Sequence, residues 1–279
     1  MKMLQGKQII LATKHHKEIV IRPIMEHSLG CQLIVPEDYD TDQFGTFTGE
    51  KDRLLPPKEM VLHKARVAMQ RFGYRFGIAS EGSFGPHPLL PFSPYHEELL
   101  AFVDQDNCLE VIVQKVTVET NYAMQEFTIH DSFENYLNQI KFPLHSVIVR
   151  ELPTNNVIAK GLNSRESLFE VVKKSFTVAQ TIRIETDMRA MHNPTRMLVI
   201  EELTNELANR LRRLCEACGV YGFGKRELVG NLLCCACGTP TELYQSVHEK
   251  CIRCDFFQVK QRPDCLEKAD PRYCPYCNP

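Results

Sequence analysis

Ten of the 12 cysteines fall between Cys215 and Cys277, and eight of them form four pairs with metal-ligand spacing. The pairs are Cys215 with Cys218, Cys234 with Cys237, Cys251 with Cys254, and Cys274 with Cys277. In a Cys-x-x-Cys turn both thiolates can point at one ion while backbone N–H groups offset the sulfur charge. Two such turns complete a four-thiolate tetrahedron. The 15-residue gap after Cys218 and the 19-residue gap after Cys254 fit the two-knuckle zinc pattern. Gly219 and Gly238 follow two of the pairs, where a tight knuckle favours positive φ. Two arrangements are open: sequential pairing, or a cross-brace joining first to third and second to fourth. Cys235 offers an alternative register, and Cys265 stands outside the pairs. With every position filled by sulfur no place is left for a catalytic water, so two structural Zn ions are expected. They would let a segment with few large aliphatics fold.

Other chemistry gathers in four polar segments near the ends of expected strands. Thr13, Lys14 and Lys17 sit at a strand-to-helix turn, where backbone N–H groups and the helix dipole favour an anion. Asp40, Asp42 and Glu50 offer carboxylates to Mg²⁺. The run Ser80-Glu81-Gly82-Ser83 places a carboxylate among small residues, which allow a ligand close to the backbone. Between Asp187 and Arg196, two guanidinium groups (Arg189, Arg196) and His192 crowd together before a helix, and arginine suits bidentate phosphate recognition. In α/β sheets ligands gather at the carboxyl ends of strands, so these segments are read as one candidate site.

The elements that would hold them alternate. Apolar runs and turn residues predict strands at 8–12, 31–35, 74–79, 99–104, 109–119, 145–151 and 157–161, with a further strand or strand end at 183–185. Helices are predicted from His15–Lys17 to Leu29, stopped by Gly30, and from Lys58 to Phe72, opened by Pro56-Pro57 and stopped by Gly73. Others follow an Asp131-Ser132 cap, a Ser164 cap and Pro194, the last running to about Leu214. The fold class is therefore α/β: a mixed sheet with flanking helices, followed by a small C-terminal double zinc-ribbon module. The shift in cysteine content sets the boundary, with residues 1–213 as a nucleotide-binding domain and 214–279 as the four-cysteine module.

The formal net charge of -2 gives no global field to hold nucleic acid, although basic and aromatic residues of the C-terminal module keep that partner open. No apolar run approaches the roughly 20 residues that cross a bilayer, and no signal-peptide pattern opens the chain, so a cytoplasmic protein with no membrane partner is expected. Homo-oligomerisation is left open.

Two resemblances add to this reading. The runs Ile-Leu-Ala-Thr-Lys-His, Asp-Thr-Asp-Gln-Phe-Gly-Thr-Phe-Thr-Gly-Glu, Ala-Ser-Glu-Gly-Ser-Phe-Gly-Pro-His-Pro and Glu-Thr-Asp-Met-Arg-Ala-Met-His-Asn-Pro-Thr-Arg-Met, with a closing Cys-x-x-Cys-Asn-Pro, resemble an uncharacterised bacterial family known as a domain of unknown function. Residues 8 to about 85 are similar in layout to inosine/xanthosine triphosphate pyrophosphatases. Ala12-Thr13-Lys14-His15-His16-Lys17 stands at that family's Ala-Thr-x-Asn-x-x-Lys, without the Asn. Gly45-Thr46-Phe47, Glu59, Lys64-Ala65 and Glu81-Gly82 resemble later parts of it. The resemblance implies metal-dependent hydrolysis of a nucleoside triphosphate to monophosphate and pyrophosphate. Lys14, Lys17, Arg189 and Arg196 would grip phosphates, with Thr13, Ser80, Ser83 and Asp187 lining the substrate. Glu50 or Glu59, with Glu81, would hold Mg²⁺ and orient water, and Lys64 and His192 complete the catalytic set. A zinc-ribbon nucleic-acid-binding protein and a non-catalytic nucleotide sensor are the alternatives.

Overall fold

The computed structural model describes residues 3–37, 39 and 55–279. Asp40, Asp42, Gly45-Thr46-Phe47 and Glu50 lie outside the described residues. Leu4–Ala208 and Asn209–Pro279 form two compact units, and the division falls inside the helix opened by Pro194.

The first unit carries two sheets where one was expected. The first sheet has the order β2-β1-β3-β4-β5, built from β1 (Gln8–Ala12), β2 (Gln32–Ile34), β3 (Phe76–Pro86), β4 (Pro94–Asp104) and β5 (Leu109–Thr117). β1 runs parallel to both β2 and β3, whereas β3, β4 and β5 form an antiparallel meander. The second sheet is antiparallel with the order β6-β9-β7-β8: β6 (Met124–Thr128), β7 (Val147–Leu152), β8 (Val157–Leu162) and β9 (Thr181–Thr186). Among the described residues, five α-helices complete a mixed α/β fold: α1 (Glu18–Leu29), α2 (Pro57–Phe72), α3 (Glu134–Gln139), α4 (Arg165–Ser175) and α5 (Pro194–Arg212).

Helix boundaries follow local chemistry. Gly30 and Gly73 end α1 and α2 at φ 68° and 74°, where any side chain would strain the backbone. Ser164 caps α4 by accepting from the Ser167 N–H. Asn193 caps α5, its Oδ1 accepting from the Arg196 N–H at 3.0 Å, with Pro194 at the first helical position. The expected Asp131 cap is not made. Asp131 turns the chain after β6 by accepting from the N–H and hydroxyl of Thr128, and α3 begins at Glu134 without a side-chain cap.

Because β1 lies between β2 and β3, right-handed crossovers place α1 and α2 on opposite faces of the first sheet. On the α2 face, Ile10, Ala12, Ala79, Leu99, Ala101 and Val103 pack against Val61, Ala65, Ala68 and Met69. The second sheet is covered by α3 and α4, with Phe127, Leu137, Val147, Val149, Leu168, Val172, Ile182 and Ile184 in its core.

The main departure from local expectation is β3. Its pairing with β1 ends at Ala12↔Ala79, but the strand continues to Pro86 against β4, with Ser80↔Leu100, Gly82↔Glu98 and Phe84↔His96 in register. The Gly- and Ser-rich run is therefore one arm of a hairpin and not a loop. Pairing with β4 satisfies backbone groups that local propensity would leave to turns.

In the second unit, β10 (Lys225–Val229), β11 (Ser246–Lys250) and β12 (Phe257–Lys260) form an antiparallel sheet. Among the described residues no helix is long and apolar enough to cross a membrane.

Candidate functional site

The eight paired cysteines gather into two groups: Cys215, Cys218, Cys251 and Cys254, and Cys234, Cys237, Cys274 and Cys277. This is the cross-brace, one of the two arrangements the spacing leaves open. The cause is the β10–β11 register. Lys225 pairs with Lys250, and Gly224 N–H donates to the Lys250 carbonyl, so the knuckle after β11 lands beside the knuckle before β10. Cys234 bridges to Ala269 in parallel, and Cys235 N–H donates to the Ala269 carbonyl, which draws the last knuckle to the second.

Within each group all four sulfurs lie within 4.8 Å of one another. Individual Sγ–Sγ distances are 3.7 Å for Cys215–Cys254 and Cys218–Cys251, 3.9 Å for Cys234–Cys277 and 3.5 Å for Cys237–Cys274. A disulfide needs about 2.05 Å. Four thiolates at the Zn–S distance of about 2.3 Å stand about 3.8 Å apart along each tetrahedral edge, so the spacing is consistent with zinc. The knuckles close as the spacing requires: Gly219 and Gly238 at φ 71° and 74° donate to the Cys215 and Cys234 carbonyls. In the third knuckle the N–H groups of Arg253 and Cys254 point at Cys251 Sγ. The hydroxyl and N–H of Thr239 hold the Cys237 thiol down to about 6, while neighbouring Cys237 pushes Cys277 up to about 12. Four adjacent thiolates repel one another, and a bound cation removes that conflict. Each group can hold a metal ion with no coordination position left over. Cys235 and Cys265 are exposed and belong to neither group.

In the first unit, three of the four polar segments converge at the carboxyl end of β1. Lys17 caps α1 and donates from Nζ to Ser80 Oγ at 2.7 Å, with Glu98 Oε1 3.6 Å away. Arg196 grips Glu98 with two bonds, Nε to Oε2 at 2.9 Å and Nη2 to Oε1 at 3.0 Å, and donates from Nη1 to the Met188 carbonyl. His96 Nε2 stands 3.1 Å from Glu98 Oε2, and the His96 ring stacks on Phe84 at 4.3 Å. The Arg196 guanidinium lies over the same Phe84 ring. Lys17, Ser80, His96, Glu98 and Arg196 are each at most 6% exposed. Gly82 is required here: a Cβ would stand 2.4 Å from both Arg196 Nη2 and Glu98 Oε2.

Strand alternation puts Glu81 on the other face, toward α2, where Lys64 Nζ donates to its Oε2 at 2.5 Å. The two faces meet at the end of β1, and Lys17 feels Lys64 and Glu81 as well as Arg196 and Glu98. Burial first, then Arg196, lower the Lys17 ammonium to about 8 against the pull of Glu98. Burial alone would raise Glu98, but Arg196, Lys17 and bonds from His96 and Arg196 hold it well below the carboxylate range. Among the described residues the cluster holds three buried cations, Lys17, Lys64 and Arg196, against two carboxylates, Glu81 and Glu98.

A half-buried rim adjoins it. Arg189 forks onto Asp187 through Nε and Nη2, and His192 Nδ1 lies 3.2 Å from Ser146 Oγ. Both side chains lie close over Gly161. Burial, Arg189, His15 and His16 lower His192, against Asp187. Thr13 is buried and bonds locally to the Lys14 carbonyl, Lys14 is exposed, and Ser83 is half-buried on β3. Glu59 is exposed in the first turn of α2. Sequence reading missed His96 and Glu98, because β4 was expected to begin at Leu99. The signal was present: His96, Glu98, Leu100 and Phe102 share one strand face, so two polar residues continue a buried apolar row.

A comparison with curated proteins finds no match. Among solved structures the chain is similar to protein VC0702 from Vibrio cholerae, at 12% identity and a TM-score of 0.28, over 40% of this chain and 63% of that one. The chain thus spans less than two thirds of that protein, and a likeness this low says nothing of fold or function. The model of a family described as a domain of unknown function (DUF6671) matches residues 64–279, well over half of the chain, and the chain belongs to that family.

Proposed function

We propose that the Leu4–Ala208 unit is a nucleotide phosphohydrolase acting on nucleoside triphosphates, and that both cysteine groups hold structural zinc. The surplus buried cation among Lys17, Lys64, Arg196, Glu81 and Glu98 carries the first part. Three buried cations sharing two carboxylates leave one positive charge unbalanced among the described residues, and an anionic ligand at the strand ends would neutralise it. Arg189, with Lys14 and His192 on the rim, would hold further phosphate oxygens, and the layout shared with inosine/xanthosine triphosphate pyrophosphatases supports the substrate class.

Mg²⁺ fits less well. Glu81 is bonded to Lys64 and Glu98 is forked by Arg196. Among the described residues, the cysteine groups alone bring three or more ligand atoms together. A magnesium site would need Glu50 or its neighbours. For the cysteine groups, sulfur-only ligation and tetrahedral edges favour zinc.

The test is a nucleotide screen on the full chain with Mg²⁺ or Mn²⁺, reading phosphate and pyrophosphate together with thermal shift. Turnover of a triphosphate, lost in Glu81→Gln, supports the reading. A thermal shift without turnover would make the unit a sensor. Silence in both readouts would overturn the proposal.

A further inference from the structure

One buried pair is not used by phosphate binding alone. Ser80 Oγ accepts from Lys17 Nζ at 2.7 Å, and both residues are 6% exposed. The charge partners of the cluster explain why this lysine differs from the other cations. Lys64 is matched by Glu81, and Arg196 by a two-bond fork onto Glu98. Lys17 is left 3.6 Å from an oxygen that Arg196 already holds. Of the three cations it is the one that gives up a proton most readily. The groups facing it are Arg196 from α5, Glu98 from β4, Lys64 from α2 and Glu81 from β3, and their net effect with burial brings it to about 8. A lysine there is partly neutral near pH 7 and can accept a proton, which an arginine in its place could not.

From this geometry we infer that Ser80 is a nucleophile and Lys17 its general base, a serine–lysine dyad that takes up a phosphoryl or nucleotidyl group. The identity of the electrophile rests on the phosphohydrolase reading, whereas the dyad itself rests on the bond, the burial and the charge match. In the step, Ser80 Oγ forms a bond to phosphorus while the bond from phosphorus to the leaving phosphate oxygen breaks. The hydroxyl proton passes to neutral Lys17 Nζ, and no electrons are gained or lost by either partner. The ammonium forms as the leaving phosphate oxygen takes the electron pair of the broken bond, and the Arg196 charge is already in place near Lys17. Water then attacks phosphorus and the Oγ–P bond breaks; the Lys17 ammonium returns its proton to Ser80 Oγ, and the proton that water loses passes to solvent, which restores both residues. The absence of a side chain at Gly82 keeps the next position on this strand face open to the Arg196–Glu98 fork, which fixes the cation next to the nucleophile.

The full chain treated with a small fluorophosphonate tests this, because the probe is a phosphorus electrophile that needs no nucleotide recognition. An adduct is expected at Ser80 by peptide mass mapping, with a labelling rate that rises with pH to a midpoint near 8. Ser80→Ala should remove it, and Lys17→Met should slow it by about 10²-fold or more, the usual contribution of a general base. Circular dichroism on each variant shows whether it folds. If Lys17→Met does not fold, the pH profile of the unaltered protein decides. No adduct at Ser80 up to pH 9, or a rate independent of pH and of Lys17, would overturn the dyad. Labelling with a silent nucleotide screen would sink the substrate reading alone. Nucleotide turnover that survives Ser80→Ala would sink the dyad alone.

Discussion

Substituting Gly82 by alanine probes the buried fork directly. The new methyl carbon would stand 2.4 Å from Arg196 Nη2 and 2.4 Å from Glu98 Oε2, about 1 Å inside normal contact. Both atoms belong to the two-bond pair at 2.9 and 3.0 Å, and stretching those bonds by about 1 Å ends them. Arg196 and Glu98 are at most 1% exposed, so neither can turn to water. Breaking a buried pair costs about 3–5 kcal/mol. Replacing a strand glycine by alanine returns about 0.5–1 kcal/mol. The net loss is about 2–4 kcal/mol, or a fall in Tm of about 4–16 °C for a unit of this size. Gly85 is the control, since a Cβ there meets nothing within 4 Å. Thermal melts followed by circular dichroism suit a chain with no tryptophan. A Gly82→Ala melt within 2 °C of the parent, or a Gly85→Ala variant equally destabilised, would refute the account of the fork.

Two further predictions follow from the cysteine groups and from Lys17. The variant Cys218→Ser/Cys254→Ser removes ligands from one group and should keep one metal ion per chain by elemental analysis. Cys218→Ser/Cys237→Ser cuts both groups and should keep none, whereas sequential pairing reverses the two results. The folded Lys17 sits at about 8, below about 10.4 for an unfolded lysine, so between those values the unfolded chain binds more protons. Stability from this group therefore rises from pH 8 to about 10.4 and is flat outside that window. Against Lys17→Met in urea melts, the parent should gain about 2–3 kcal/mol across it, and a constant difference would show that Lys17 keeps an ordinary lysine's proton.

On the proposed function, structural stability and ligand capture draw on the same cluster. The Arg196–Glu98 fork ties α5 to β4, while Lys17 and Ser80 tie the first turn of α1 to β3. Removing one member leaves another charge buried and unpaired, so variants here will combine folding and binding effects. Lys64–Glu81 and the fork lie on opposite faces of the sheet but share Lys17 as a charge partner, so changes to the two pairs should not simply add.

The cysteine spacing by itself determined that this chain ends in knuckles, because a Cys-x-x-Cys turn is a local device whose geometry lies within four residues. It could not determine which knuckles share an ion. That depends on the β10–β11 register, which pairs residues from Val229↔Ser246 to Lys225↔Lys250, well beyond the reach of a local turn. The helix ends at Gly30, Gly73, Ser164 and Pro194 were legible for the same local reason. The polar segments at Lys17, Ser80–Glu81 and Asp187–Arg196 were legible as chemistry, since their residue types are hard to place in a plain core. Only the tertiary structure decided that Glu81 and Ser80 look to opposite faces, that Lys64 stands on Glu81, and that Glu98 and His96 complete the cluster. Those outcomes turn on cross-strand alternation and on which cation reaches which carboxylate, and a strand's neighbours are chosen by the whole fold.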